Sequence, residues 1–268
     1  MKDKPLILIS NDDGIESPGL HAAAEALLPI ADLLIAAPRE QQSAAGRSMR
    51  AAEDAVFESR TLNIAGKTVE GFCLNASPAT TVRHALQCLC INRKPDMIVS
   101  GINFGENIGT NVSASGTVGA AIQSAVWGYK SLAISLEVPP RLHYEHGEVD
   151  WSAAVSILRR AVEKFLPREW PEDVHVLKVD IPDTATAETP WRATKLSREP
   201  GWWGFVPDAA PASAAGTTIG KRGPRPGEQW DLADDLAALH HHKEVAVTAL
   251  SLDMTSRCSL DTIAGLFD

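Results

Sequence analysis

Short apolar runs alternate with amphipathic stretches through the first two thirds of the chain. The runs have the length and the Leu, Ile and Val content of strands buried on both faces, as in a parallel sheet. They occupy residues 5–10, 32–37, 96–101, 131–136 and 174–181. Helical patterns lie between them, over residues 20–28, 80–90, 116–127 and 150–166. Because strand and helix alternate, the pattern predicts right-handed parallel crossovers and a Rossmann-like α/β core.

Two regions depart from this alternation. Residues 51–75 show short alternating stretches around an Ala65-Gly66-Lys67 turn, which predicts an antiparallel β-hairpin inserted in the core. The stretch from Pro182 to His242 is rich in proline and predicts a projecting arm used in oligomer contacts. Its Trp202-Trp203 pair fits an interface or core packing equally well.

The predicted organisation therefore has three parts. They are a Rossmann-like catalytic core over residues 1–182, an oligomerisation arm over 183–243, and a C-terminal strand and helix over 244–268. The final helix is expected at residues 261–267. No internal repeat interrupts this order.

Composition and charge narrow the function classes. Of 268 residues, 44% are hydrophobic and 22% charged, as in ordinary globular proteins. The net charge of -9 argues against a long nucleic acid as partner. No apolar run is long enough for a bilayer, and the N-terminus has no signal-peptide pattern, so we expect a cytoplasmic protein without membrane contact. The four cysteines fit buried thiols in a reducing compartment.

The first apolar run ends in Asn11-Asp12-Asp13-Gly14. Ligands of open α/β sheets bind at the carboxyl ends of the strands, where these side chains are expected. Two adjacent carboxylates repel each other unless a positive charge lies beside them, and a hard divalent cation suits their oxygens. The alternative is a simple turn, since Asn, Asp and Gly dominate turns.

Two further loops are predicted at the same edge of the sheet. The loop over residues 39–48 contains Ser43, whose hydroxyl is a possible metal ligand or a solvated side chain. The loop over 101–111 is rich in Gly and Asn and leads into small residues that open a helix. Free backbone N–H groups and the helix dipole favour phosphate at such a position.

The run His240-His241-His242 is interpreted as solvated, because three consecutive residues cannot face one ion on a regular element.

These segments together resemble the SurE family of stationary-phase survival proteins, which are metal-dependent nucleotidases. The similarity runs over nearly the whole chain. The matching segments are Ile7-Leu8-Ile9-Ser10-Asn11-Asp12-Asp13-Gly14, Ala37-Pro38 with Ser43, Val99-Ser100-Gly101-Ile102-Asn103 with Gly105 and Asn107, Ser115-Gly116-Thr117-Val118, and the closing run from Val245 to Thr255.

The resemblance implies a phosphatase that hydrolyses nucleoside 5′-monophosphates, and 3′-monophosphates, to nucleoside and phosphate. It also implies one divalent metal ion per subunit, such as Mg or Mn, and a homodimer or homotetramer built through the arm. Carried over to this sequence, the metal ligands are Asp12, Asp13, Ser43 and Asn103, and either aspartate orients or deprotonates the attacking water. Phosphate binding is assigned to Asn11, Asn107, Ser115, Gly116 and Thr117.

Three departures from the family pattern leave all four predicted ligands in place. Ala44 stands where the family usually has glycine, Ala76-Ser77-Pro78-Ala79-Thr80-Thr81 replaces a Gly-Thr-Pro-Ala-Asp-Cys type segment, and Thr110-Asn111 replaces two aspartates. The substituted loops keep open a second hypothesis, a non-catalytic nucleotide-binding sensor on the same scaffold. A phosphatase with an aspartyl-phosphate intermediate usually needs two aspartates one residue apart, whereas Asp12 and Asp13 are adjacent.

Overall fold

A central β-sheet organises the computed structural model, which describes residues 4–139, 148–199, 202–204, 222–224 and 231–267. The strands are β1 (Leu6–Ser10), β2 (Asp32–Pro38), β3 (Glu58–Ile64), β4 (Lys67–Leu74), β5 (Met97–Phe104), β6 (Ser131–Leu136), β7 (Val176–Ile181), β8 (Trp191–Thr194), β9 (Trp202–Gly204), β10 (Arg222–Pro224) and β11 (Val245–Leu250). The α-helices are α1 (Pro18–Leu27), α2 (Pro78–Cys88), α3 (Gly116–Val126), α4 (Ser152–Phe165) and α5 (Leu260–Ala264). A 3-10 helix, Thr110–Ala114, and a short π-helix, Ala237–His241, complete the described elements.

The main sheet has nine strands in the order β3-β4-β2-β1-β5-β6-β7-β11-β8. Its middle, from β4 to β7, is parallel throughout. Antiparallel pairs appear where β3 meets β4 and where β11 meets β7. The predicted α/β class with a Rossmann-like parallel core is thus confirmed.

The predicted hairpin is present as β3 and β4. Its turn residues Ala65 and Gly66 have φ angles of 49° and 75°, the left-handed pair that suits a two-residue hairpin turn. The hairpin also extends the sheet, because β4 pairs in parallel with β2.

The apolar pattern suggested that the main sheet ends with the strand that closes at residue 181. In the structure, the sheet continues beyond that strand. β11 adds to β7, and β8 adds to β11 from within the region predicted as the arm. The four-residue β8 is only partly buried and lies among prolines, so its pattern was too weak to identify. The π-helix of the same region buries Ala237, Ala238 and Leu239. The arm's role in oligomerisation stays a prediction.

Other parts of the arm fall largely outside the described residues. β9 and β10 form a separate antiparallel pair. The side chains of Trp202 and Trp203, on which the interface and core alternatives depend, are outside the described part of the structure.

Both faces of the parallel sheet are covered, which explains the continuous apolar runs. On β1, Ile7 and Ile9 face the cluster that α1 and α4 close, whereas Leu8 faces the cluster under α2 and α3. Each fully buried side chain of this size contributes roughly 1.5–3 kcal/mol to folding. The buried faces hold the strand ends in place beneath the loops that follow them.

Two smaller expectations are corrected. Cys73 and Cys90 are buried thiols, but Cys88 and Cys258 are exposed. The last helix begins at Leu260 and ends at Ala264, earlier than expected. None of the described helices has the length and apolar character needed to cross a membrane.

Candidate active site

The loops that follow β1, β2 and β5 meet at one edge of the sheet, because these strands are parallel neighbours. Asp12 and Asp13 follow β1, and the loop of Ser43 follows β2. The loop of Asn107 follows β5 and leads through the 3-10 helix into α3. The structure therefore brings together segments that are far apart in sequence.

Asp12, which follows β1, packs against the N-terminus of α3. It is only 6% exposed, and its Oδ1 accepts a hydrogen bond from the Thr117 hydroxyl. A Cβ on Gly116 would lie 2.6 Å from Oδ2 of Asp12, so only glycine allows the helix to start this close. Burial, and then the charge of Asp13, raise the pKa of Asp12 to about 7. Negative charge on Asp12 is therefore costly here, and a nearby cation would offset that cost.

Asp13 joins the other two loops. Its Oδ1 accepts a hydrogen bond from Gln41 Nε2 at 3.2 Å, and its Oδ2 accepts one from the Phe104 backbone N–H at 3.1 Å. Phe104 directly follows Asn103, so this contact brings the backbone at Asn103 close to Asp13.

Ser43 is positioned through its neighbours. Gln42 N donates to the Asp12 carbonyl at 2.6 Å, and Gly46 N donates to the Ala114 carbonyl at 2.9 Å. A Cβ on Gly119 would lie 2.2 Å from the Gly46 carbonyl oxygen, which shows how closely α3 packs on this loop. Ser43 itself is exposed, and it directly follows the residue that binds the Asp12 carbonyl.

The donor set fits a hard divalent cation. Asp12 and Asp13 supply carboxylates, while Ser43 and Asn103 supply neutral oxygens of the kind that Mg and Mn accept. Asn103 Nδ2 donates to the Gly105 carbonyl, so Oδ1 is the atom that would bind a metal ion. Within the described ranges, no group of three or more His, Cys, Asp or Glu side chains is arranged to hold a metal, the histidine run included. A site here depends on the neutral ligands as well as the carboxylates.

The residues assigned to phosphate have structural partners. Asn11 braces the first loop, donating to the Gly14 carbonyl at 3.0 Å and to Ser17 Oγ at 2.6 Å. Asn107 donates through Nδ2 to Ser135 Oγ at 2.8 Å.

At the start of α3, Ser115 Oγ caps the helix by accepting from Val118 N at 3.1 Å. Thr117 bonds Asp12, and its backbone N–H also lowers the pKa of that carboxyl. The helix N-terminus thus already stabilises one anionic group, as its dipole and free N–H groups favour. Phosphate binding by Asn11, Asn107, Ser115, Gly116 and Thr117 stays a prediction.

Sequence reasoning missed several residues around this site. Gln41 holds Asp13, and its loop position gave no signal. Ser10, the last residue of β1, and Ser100, within β5, are register partners, and their buried hydroxyls have no hydrogen-bond partner among the described residues. Lys178 and Asp180 are fully buried. Two opposite charges that lie two residues apart share one face of a strand, so the sequence could have indicated a buried ion pair on this apolar strand.

Comparison with known proteins decides the family. The model of the family described as "Survival protein SurE" matches residues 7–201. The chain belongs to the SurE family. The resemblance stated from the motifs is therefore confirmed.

SurE relatives match almost the whole chain. The protein of Methanocella arvoryzae named 5′-nucleotidase SurE is 33% identical, over 93% of both chains. The 5′-nucleotidase SurE of Thermococcus kodakarensis is 34% identical, over 96% of both. The crystal structure of the SurE protein from Aquifex aeolicus superimposes with a TM-score of 0.75 at 25% identity, covering 98% of this chain and 100% of that one.

The SurE departure at Ala44 has a structural consequence. Ala44 has a φ of 57°, in the left-handed region that favours glycine, the residue usual there in the family. A Cβ in this region is strained by roughly 1 kcal/mol.

We expect Ala44→Gly to leave the free energy of unfolding unchanged or to raise it by up to ~1 kcal/mol, because relief of strain offsets the flexibility that glycine adds to the unfolded chain. Ala45→Gly is the matched control, since Ala45 does not have a positive φ, and should lose about 0.5–1 kcal/mol. Urea unfolding measures both. Equal losses in the two variants would contradict the left-handed conformation at Ala44.

Glu106 lies in the loop between Asn103 and Asn107. It is 8% exposed, and its Oε2 has no hydrogen-bond partner among the described residues. Burial raises the pKa of Glu106 to about 7, and Glu137 adds to the effect. In the unfolded chain this carboxyl ionises near pH 4.5. The folded protein therefore holds a proton that the unfolded chain has lost between these pH values.

Wild-type stability should accordingly fall as pH rises from about 4.5 to about 7. The loss from this group is roughly 3 kcal/mol. We expect Glu106→Gln to remove that part of the fall, because an amide does not ionise, and to be relatively more stable at pH 8. Denaturant unfolding across the pH range tests this, with Glu163→Gln, an exposed position on α4, as control. If the two variants have the same profile, the buried carboxyl of Glu106 is not the cause.

Proposed function

We propose that this SurE chain is a metal-dependent phosphatase that hydrolyses nucleoside 5′-monophosphates, and also 3′-monophosphates, to nucleoside and phosphate. The observation that carries the proposal is the adjacent Asp12–Asp13 pair, with Asp12 buried against the N-terminus of α3. Its relatives are named 5′-nucleotidases, which agrees with the enzyme class predicted from the sequence.

The divalent ion would be held by Asp12, Asp13, Ser43 and Asn103. When bound, it supplies positive charge for the phosphoryl oxygens and lowers the pKa of a water molecule. The chain's own residues set the geometry around it. Thr117 fixes one oxygen of Asp12, and Gln41 fixes one oxygen of Asp13.

The substrate phosphate would lie where α3 begins. The helix dipole favours an anion there, and Gly116 permits close approach to Asp12. A carboxylate of the pair orients or deprotonates the water that attacks phosphorus. Nucleoside monophosphates are the proposed substrates, and a cytoplasmic homodimer or homotetramer remains the predicted setting.

Phosphate release from nucleoside 5′-monophosphates, with and without a chelator, separates the enzyme from a nucleotide-binding sensor on the same scaffold. The proposal expects release that stops with chelator and returns when Mg or Mn is added in excess. A protein that binds the nucleotide but releases no phosphate at any metal concentration would be the sensor.

We expect Asp13→Asn to remove most activity while the protein stays folded. The variant loses half of the site's carboxylate charge, and relief of repulsion on Asp12 should leave the metal-free protein at least as stable. Turnover, metal titration and thermal unfolding measure these effects, with Asp54→Asn in an exposed loop as control. Wild-type turnover and metal affinity in Asp13→Asn would refute the assignment.

The neutral ligands should matter less than the carboxylates. We expect Ser43→Ala and Asn103→Ala each to raise the metal concentration for half-maximal activity by about 10–100-fold, the range typical of lesions around metal sites. Excess metal should restore part of the rate. The two lesions should be non-additive because they share one ion. Ser156→Ala, exposed on α4, is the control, and titrations of both variants that overlay it would show that neither residue touches the metal.

A further inference from the structure

A lysine is completely buried behind the candidate site. Lys178 on β7 forms a close ion pair with Asp180 and a second one with Asp235 Oδ2 at 3.0 Å, and all three side chains have 0% exposure. Burial lowers the pKa of a lysine, but the two carboxylates outweigh this effect and raise it in Lys178, so the lysine is charged. We call Lys178, Asp180 and Asp235 the buried triad.

Both carboxylates of the buried triad also bind the loop that follows β5. Asp180 Oδ1 accepts a hydrogen bond from Asn107 N at 2.8 Å, and Asp235 Oδ2 accepts one from Gly109 N at 3.1 Å. Asp235 Oδ1 accepts a third from Ser197 N at 3.0 Å. Burial raises the pKa of Asp180, and the ion pair with Lys178 and the hydrogen bond from Asn107 N act in the opposite direction.

The same loop is held from its other side. A Cβ on Gly109 would lie 2.0 Å from the Glu199 carbonyl oxygen, and Thr110 N donates to that oxygen at 3.1 Å. Asn107 is fixed twice, because its backbone N–H binds Asp180 and its Nδ2 binds Ser135. The loop therefore has little freedom between Asn103 and the start of α3.

Stabilisation of the fold does not by itself explain why three charged side chains are buried together. Well-packed apolar side chains often replace a buried ion pair with no loss of stability, whereas removing one partner is costly. Here each carboxylate uses its remaining acceptor capacity on backbone N–H groups, two of which belong to a single loop. These hydrogen bonds fix the direction and the distance of the loop's backbone N–H groups relative to the carboxylates, which apolar packing does not.

We infer that Lys178, Asp180 and Asp235 are positioning residues that hold the loop of residues 105–110 in the conformation that binds the substrate's phosphate. The inference rests on the proposed function. A displaced loop weakens phosphate binding in the ground state and the transition state alike, which raises KM with little change in kcat. The metal site, built from other residues, should keep its affinity.

Asp235→Asn is the direct test. It keeps the Lys178–Asp180 contact and replaces one acceptor oxygen of residue 235 by an NH2 group, so a backbone N–H loses its partner. We expect KM for a nucleoside 5′-monophosphate, and the inhibition constant of inorganic phosphate, to rise about 10-fold or more, since displacements near 1 Å cost up to about 100-fold. The kcat and the metal concentration for half-maximal activity should stay within about 3-fold of wild type.

Arg192→Gln is the matched control. Arg192 pairs with Glu244 next to β11, partly exposed and away from the loop. It should leave KM and phosphate inhibition unchanged. A folded Asp235→Asn protein that also keeps wild-type values for both would overturn the inference.

Hydrogen exchange gives a readout that does not need turnover. The amides of Asn107 and Gly109 should be protected in the wild type and exchange faster in Asp235→Asn, but not in Arg192→Gln. If the wild type releases no phosphate, the proposed function fails, while exchange still tests the triad's hold on the loop. Should Asp235→Asn not fold, the same measurements on Asp180→Asn decide. Unprotected wild-type amides would overturn the inference on their own.

Discussion

The repulsion between Asp12 and Asp13 is the constraint on which the site depends. Asp12 is buried and adjacent in sequence to a second carboxylate, so burial and charge both oppose its ionisation. The surrounding structure offsets this cost with hydrogen bonds from Thr117, Gln41 and Phe104 N. The donors come from three separate segments, namely the start of α3, the loop after β2 and the end of β5, and the parallel strands bring these segments to one edge. A bound divalent cation would turn the same repulsion into affinity.

The sequence predicted the parts of the fold that depend on continuous patterns. The buried runs identified the parallel core because a strand covered on both faces has to be apolar throughout. β8 was missed because four half-buried residues among prolines carry little periodicity, and its place depends on pairing with β11, far along the chain. Long-range pairing of this kind leaves almost no local trace.

The candidate site could be predicted from the sequence only where neighbouring residue types indicate a chemical role. Adjacent aspartates at a strand end and a Gly-rich loop before a helix are local signals. The sequence did not predict that Asn11 braces a loop and that Ser115 caps a helix. An amide or hydroxyl that binds phosphate looks the same in sequence as one that binds a backbone group. Asp235 lies 126 residues from the amide of Gly109 that it binds, so only the folded chain reveals the contact.

Anomalous diffraction from crystals soaked in manganese would locate the proposed metal ion. We expect one peak at the edge of the sheet, about 2.0–2.6 Å from carboxylate oxygens of Asp12 and Asp13 and from oxygens of Ser43 and Asn103. A peak bound elsewhere, or none at this edge with the metal in excess, would contradict the proposed metal site.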